Sequence, residues 1–144
     1  MITLKKITEE NFIDAFNLKL DPKQEEYVSH PIRSLAQAYV YREQCQPFGI
    51  FNDEKMVGYV MVIYDYDIPE YDIWHMMIDM DSQGKGYGSA ALDKVLDYIK
   101  SKGDRESIIQ VMSLKPAGYL LKSVDKNGLR EALAAFFAKQ MATN

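Results

Sequence analysis

Residues 83–92 read QGKGYGSAAL, in which Gly84, Gly86 and Gly88 alternate and then pass directly into an apolar helical pattern. From Ser89 onward, Ala90, Ala91, Val95, Leu96 and Ile99 fall on one helical face, with Asp93, Lys94, Asp97 and Lys100 on the other. Upstream, EYDIWHMMIDM (70–80) reads as a strand and Asp79 to Ser82 as a polar turn. The order is therefore strand, glycine-rich turn, helix. A helix that starts on bare backbone N–H groups attracts an anion, because its first-turn donors have no acceptor within the helix and its dipole adds positive potential. An extended diphosphate fits such a place when no side chain stands in front of the main chain. The spacing G-x-G-x-G differs from the G-x-G-x-x-G of dinucleotide folds, and Gly88 is followed by Ser89 and Ala90 rather than by the Lys-Ser or Lys-Thr of a Walker loop. A purely structural elbow would have the same composition.

Working outward, MITLKKI (1–7) alternates and reads as an edge strand, and TEENF (8–12) opens a helix with Thr8 as N-cap and Asn11 three residues on. The stretch from Asp21 to Gln44 reads as helix in two pieces, PKQEEYVSH (22–30) and RSLAQAYVYREQ (33–44), divided around Pro31. After Pro47 the period becomes two. FGIFNDEKMVGYVMVIYDYD (48–67) gives a strand, a turn at Asn52 to Glu54, and a longer strand, together a hairpin.

The chain of 144 residues is of single-domain size, and 47% hydrophobic with 26% charged residues is the balance of a globular protein with a real core. A net charge of −4 disfavours nucleic acid as partner, since duplex binding needs a basic footprint, and favours a cationic or small-molecule one. The single cysteine, Cys45, has no partner for a disulfide and no neighbours at metal-ligand spacing. No apolar run approaches a membrane span and MITLKKITEE is no signal peptide, so the expectation is a cytoplasmic protein with no membrane, nucleic-acid or metal partner.

Gln83-Gly84-Lys85-Gly86-Tyr87-Gly88 fits the form Q/R-x-x-G-x-G/A, and on it residues 1 to about 103 resemble a GNAT-type N-acetyltransferase. DPKQEEYVSHPIRSLAQAYVYRE (21–43), FGIFNDEKMVGYVMVIYD (48–65) and IWHMMIDMDSQGKGYG (73–88) further resemble the spermine and spermidine acetyltransferase branch. The resemblance implies an α+β fold, with a mixed, mainly antiparallel sheet flanked by helices. It implies acetyl-CoA as cosubstrate, its pyrophosphate on the backbone of Gln83 to Ser89 with Lys85 adding charge, and its pantetheine arm against Met77, Ile78 and Met80.

Acetyl transfer to a primary amine needs a deprotonated amine, a stabilised thioester oxyanion and a proton for the departing thiolate. A backbone N–H of the strand Ile73 to Asp79 is the oxyanion donor expected. Glu70, Asp72 and His75 are the candidate bases or relays, although a histidine beside Trp74 in an apolar strand also reads as a packed side chain. Asp65 and Asp67, with Glu70 and Asp72, would gather a polycation by Coulomb steering, and Tyr64 and Trp74 would line the amine. A solvated hairpin tip and ordinary aromatic packing account for the same residues.

The resemblance stops at the C-terminal third. GDRESIIQVMSLKPAGYLLKSVDKNGLREALAAFFAKQ (103–140) lacks the tyrosine motif of complete family members and resembles the end of a response-regulator receiver domain, with Lys122 closing GYLLK. Receiver phosphorylation does not carry over, because the acidic pair and acceptor aspartate have no counterpart. Two arrangements stay open. IIQVM (108–112) forms a fifth strand with Tyr119 as proton donor, or RESIIQVMSL (105–114) is helix, GYLLKS (118–123) a strand, and a last helix with Leu129, Leu133, Phe136 and Phe137 covers the sheet. The second is the one expected here, giving a single domain over 1–144 with an atypical helix-strand-helix end. The functional expectation is an acetyl-CoA-dependent N-acetyltransferase acting on a primary amine, a polyamine such as spermidine foremost. The alternative is a catalytically impaired CoA-binding or protein-interaction domain, and the C-terminal region is the expected homodimer contact.

Overall fold

Four strands pair in chain order, each neighbour antiparallel: β1 (Ile2–Lys6), β2 (Cys45–Asn52), β3 (Lys55–Asp65) and β4 (Glu70–Ile78). The structure, a computed structural model, describes residues 1–102. The alternatives for IIQVM and GYLLKS, the last amphipathic helix, Lys122 and Tyr119 all lie outside the described residues. β2 and β3 meet across a two-residue turn, where Asp53 takes a φ of 54°. A short polar side chain tolerates that left-handed conformation, which closes the hairpin tightly.

Helices cover both faces of the sheet. α1 (Phe12–Asn17) and α2 (Pro31–Val40) lie on one, where Ala15, Leu18 and Ala38 pack with Tyr59, Met61, Ile63 and Met77. α3 (Tyr87–Ser101) lies on the other, setting Ala91, Leu92, Val95, Leu96 and Ile99 against Val60, Val62, Ile73, Met76 and Ile78. β3 is thus buried on both sides and reads as a nearly unbroken apolar run rather than as a half-exposed strand. On α3, Leu92 joins the buried face, whereas Ala90 is only partly buried.

Two local readings change. Thr8 does pair with Asn11, its N–H donating to Asn11 Oδ1 at 2.8 Å and its Oγ1 accepting from the Glu10 N–H at 3.3 Å, but this closes a turn, and α1 starts only at Phe12 with Asn11 at the N-cap. PKQEEYVSH is not a helix: Pro22–Tyr27 form turns, initiated by Asp21, whose Oδ1 accepts from the Lys23 N–H at 2.9 Å. Such local side-chain bonds compete with helix formation. Pro31 opens α2 instead of dividing two helices, as its missing N–H allows at a first position. His30 caps that helix, Nδ1 accepting from the Ile32 N–H at 3.1 Å while Nε2–H donates to the Leu18 carbonyl at 3.0 Å.

The ladder is interrupted twice. Between Ile50↔Gly58 and Phe51↔Met56, β3 carries one extra residue, Val57, and between Met61↔His75 and Val62↔Ile73, β4 carries one, Trp74. A bulge of this kind reverses which way the following side chains point.

Candidate active site

From the end of β4 the chain makes one 3-10 turn (Met80–Ser82) and enters the glycine loop. Gly84 and Gly86 have φ of 77° and 79°, a region that side-chain-bearing residues enter only at a cost of about 1–2 kcal/mol. A Cβ on either would meet nothing within 4 Å, so the space in front of both is open. Gly86 is also the N-cap of α3, and no side chain caps the helix, whose first internal bond runs from the Ala90 N–H to the Gly86 carbonyl. Uncapped first-turn donors behind an open, side-chain-free approach fit a pyrophosphate. Gly88 differs: a Cβ there would sit 3.8 Å from Ile78, an ordinary contact.

The loop is held from behind. Asp79 Oδ1 accepts from the Lys19 N–H at 2.7 Å, the Met80 N–H donates to the Lys19 carbonyl at 2.9 Å, and Gln83 Nε2 donates to Gln24 Oε1 at 3.0 Å and to the Ile78 carbonyl at 3.1 Å. The Gln83 amide nitrogen therefore ties the loop to the segment between α1 and α2. Tyr87 turns toward the β2–β3 hairpin, its hydroxyl accepting from Asn52 Nδ2 at 3.0 Å. Lys85, Ser89 and Met80 are exposed, and the side chains of Met77 and Ile78 belong to the core, leaving only their main chain to face a ligand.

The bulge at Trp74 organises the other half of the site. Asp72 pairs with Ile63 and His75 with Met61, both on the α1 and α2 side, and Trp74 packs on that same side. Asp72, Trp74 and His75 therefore share one face of β4. Tyr64 does not join them: it pairs with Tyr71 and lies in an aromatic row with Tyr71 and Tyr98 on the α3 side, at centroid separations of 5.0 and 6.1 Å. Asp65 is buried and shapes the β3–β4 turn, its Oδ1 accepting from the N–H groups of Asp67 and Ile68 at 3.0 and 3.3 Å. Asp67 stays exposed, Glu70 is half-buried and Asp72 is buried.

His75 is 5% exposed, packs against Tyr59 with centroids 5.3 Å apart and ring planes tilted by 49°, and neither ring nitrogen has a hydrogen-bond partner among the described residues. Tyr59 in turn donates to Ser34 Oγ at 3.0 Å, and burial pushes its phenol up. Desolvation lowers His75 to about 4; the nearby Ser29 main chain opposes this and His30 reinforces it. The ring is thus neutral at pH 7 and packed away from solvent. Because the folded pKa lies below the unfolded value near 6.5, the unfolded chain binds the extra proton between about pH 6.5 and 4. His75 should therefore leave stability intact above pH 6.5 and remove up to about 3 kcal/mol as pH falls to 4. Urea melts of wild type and His75→Gln at pH 7.5 and 4.5 test this, and an equal acid loss in both would refute it.

Sequence reasoning missed the supporting residues Lys19, Gln24, His30 and Ser34, whose partners lie far along the chain. Among the described residues no cluster of His, Cys, Asp or Glu could hold a metal, and no helix is long and apolar enough to cross a membrane.

The model of the Acetyltransferase (GNAT) family matches residues 7–117, more than half of the chain, and the protein belongs to that family. The family implies acetyl-CoA as cosubstrate, in agreement with the open loop at Gly84 and Gly86. No curated protein matches the sequence. Solved structures of similar fold include a GNAT acetyltransferase from Desulfovibrio desulfuricans, at 15% identity and TM-score 0.53, covering 73% of this chain and 69% of that one. A spermidine N-acetyltransferase chimera from Vibrio cholerae and hSSAT has 19% identity and TM-score 0.52, covering 69% and 63%. A ribosomal-protein-alanine N-acetyltransferase from Escherichia coli has 19% identity and TM-score 0.50, covering 72% and 62%, so the match spans less than two thirds of that enzyme.

Proposed function

We propose that the protein transfers acetyl from acetyl-CoA to a primary amine, with a polyamine such as spermidine as acceptor. The observation that carries this reading is the uncapped N-terminus of α3 behind the open backbone of Gly84 and Gly86. The reaction forms a C–N bond and breaks the thioester C–S bond; the ammonium gives up two protons, one through the base to solvent and one that ends on the departing sulfur. In this assignment the loop backbone and Lys85 bind the diphosphate, and a main-chain N–H of Ile73–Asp79 supports the oxyanion. Asp72 or Glu70 takes the amine proton, directly or through water. His75, dry and neutral, holds the face of β4 in place.

The acidic residues at the β3–β4 end favour a cationic acceptor, with the exposed Asp67 as the steering residue, since Asp65 is engaged in the turn. Thiol release from acetyl-CoA in the presence of spermidine is the direct test. Asp67→Asn should raise the KM for spermidine about twofold at low salt and little near 0.5 M salt, where charges are screened over about 4 Å. CoA binding without turnover would instead favour a CoA-binding module, and a salt-independent KM would remove the steering role.

A further inference from the structure

We infer that the cavity formed by the segment between α1 and α2 and the first turn of α2 is a second binding site, for a small zwitterion of amino-acid type, and that its occupancy is linked to the glycine loop. The inference goes beyond the amine-acetylation reading and does not depend on it. The cavity measures about 670 Å³, within the usual range for small-molecule sites. Leu18, Leu20 and Val28 give it an apolar floor, and Lys19, Glu25 and Arg33 bring charge to it. Among the described residues none from the strands lines it, so it lies apart from the transfer site on β4.

The charges at this cavity are weakly engaged. Neither Arg33 nor Glu25 has an ion pair among the described residues. Arg33 Nη1 donates to Ser29 Oγ at 3.4 Å, a long bond that leaves the rest of the guanidinium available. Lys19 Nζ stands 3.7 Å from Asp81 Oδ2 with both side chains largely exposed, a pair worth little in water. Arg33 also lies in the first turn of α2, where the helix dipole disfavours a cation and no acidic residue offsets it. His30, the remaining ring in the wall, is engaged through both nitrogens. Two cations and one carboxylate around an apolar floor match a ligand with a carboxylate, an ammonium and a small apolar body. The guanidinium binds the carboxylate through paired N–H donors with Lys19 adding charge, and Glu25 accepts from the ammonium. A polyamine would meet Lys19 and Arg33 as like charges, and a dianion would meet Glu25.

Lys19 joins this site to the loop. It lines the cavity, while its N–H donates to Asp79 Oδ1 at 2.7 Å and its carbonyl accepts from the Met80 N–H at 2.9 Å. Gln24, next to Glu25 in sequence, accepts from Gln83 Nε2 at 3.0 Å. A ligand that fixes Lys19 and Glu25 therefore favours the bonded arrangement of the residues that lead into Gly84, and by reciprocity CoA on the loop favours the ligand.

Calorimetric titration of the full-length protein with L-leucine as probe should give saturable binding. Leucinamide, which lacks the carboxylate, and 4-methylpentanoate, which lacks the ammonium, should each bind at least about tenfold more weakly. Arg33→Gln should weaken L-leucine about tenfold with the thermal midpoint unchanged, since the side chain is exposed. At saturating L-leucine the CoA dissociation constant should fall about fivefold in wild type and stay constant in Arg33→Gln. Wild type without saturable binding, leucinamide binding as well as L-leucine, or Arg33→Gln binding L-leucine as wild type does would each overturn the site. Equal CoA affinity with and without L-leucine would overturn the link. L-leucine binding in a protein that transfers no acetyl to spermidine would uphold the site while removing the enzymatic reading.

Discussion

Gly86→Asn is expected to weaken CoA binding at least about tenfold, with the fold retained and the thermal midpoint within a few degrees of wild type. Gly86 has a φ of 79°, and asparagine is the side-chain-bearing residue that enters this region most readily. The replacement therefore adds atoms without forcing the backbone. Those atoms enter the open space before the first turn of α3, where a Cβ now meets nothing within 4 Å. Charge-assisted bonds to a phosphate oxygen are each worth about 1.5–3 kcal/mol, and the displacement of one accounts for a tenfold loss. Gly86→Val is a poorer probe, because a β-branched residue at positive φ adds strain to obstruction. Calorimetric titration with CoA measures the effect. Unchanged affinity in Gly86→Asn would reduce the glycines to an elbow.

The largest expected loss of stability is at Gly58. A Cβ there would stand 2.5 Å from the Met77 carbonyl oxygen and 2.9 Å from Ile78 Cδ1, so main chain, and not only a flexible side chain, has to move. Gly58 pairs with Ile78, the last residue of β4 before the loop. Gly58→Ala should cost about 3 kcal/mol through overpacking and lower the thermal midpoint by about 10 °C. Gly88→Ala is the control, with its Cβ at 3.8 Å from Ile78 and a small helix-propensity gain. Denaturant melts on both variants decide the matter, and a Gly58→Ala midpoint equal to wild type would show that the strands separate freely there.

What the sequence disclosed and what it concealed divide by the range of the interaction. The β2–β3 hairpin and α3 were legible because period-two and helical patterns, and the polar turn at Asp53, are local. The glycine loop was legible because a positive φ leaves glycine in the sequence at Gly84 and Gly86. The bulge was not, because IWHM has no glycine or proline to mark it. That one inserted residue brings His75 to the face that Asp72 and Trp74 already share by alternation, and the register leaves Tyr64 across the sheet. The segment 22–30 misled for a related reason, as its helix-forming residues follow Asp21, which diverts the chain into turns. The Gln83–Gln24 pair spans 59 positions and leaves no local trace.

That pair has a bearing on how tightly the loop can bind. Three glycines in five positions would ordinarily form the most freely jointed part of a chain, and ordering each such residue costs about 1–2 kcal/mol. Here the two ends are fixed before any ligand arrives, one by Gln83 on Gln24 and Ile78, the other by the buried face of α3. Part of the loop's ordering entropy is thus absorbed when the domain folds, and under the proposed assignment a diphosphate would meet a segment already tethered at both ends. Cutting the tether should loosen the segment without touching any atom that faces the ligand.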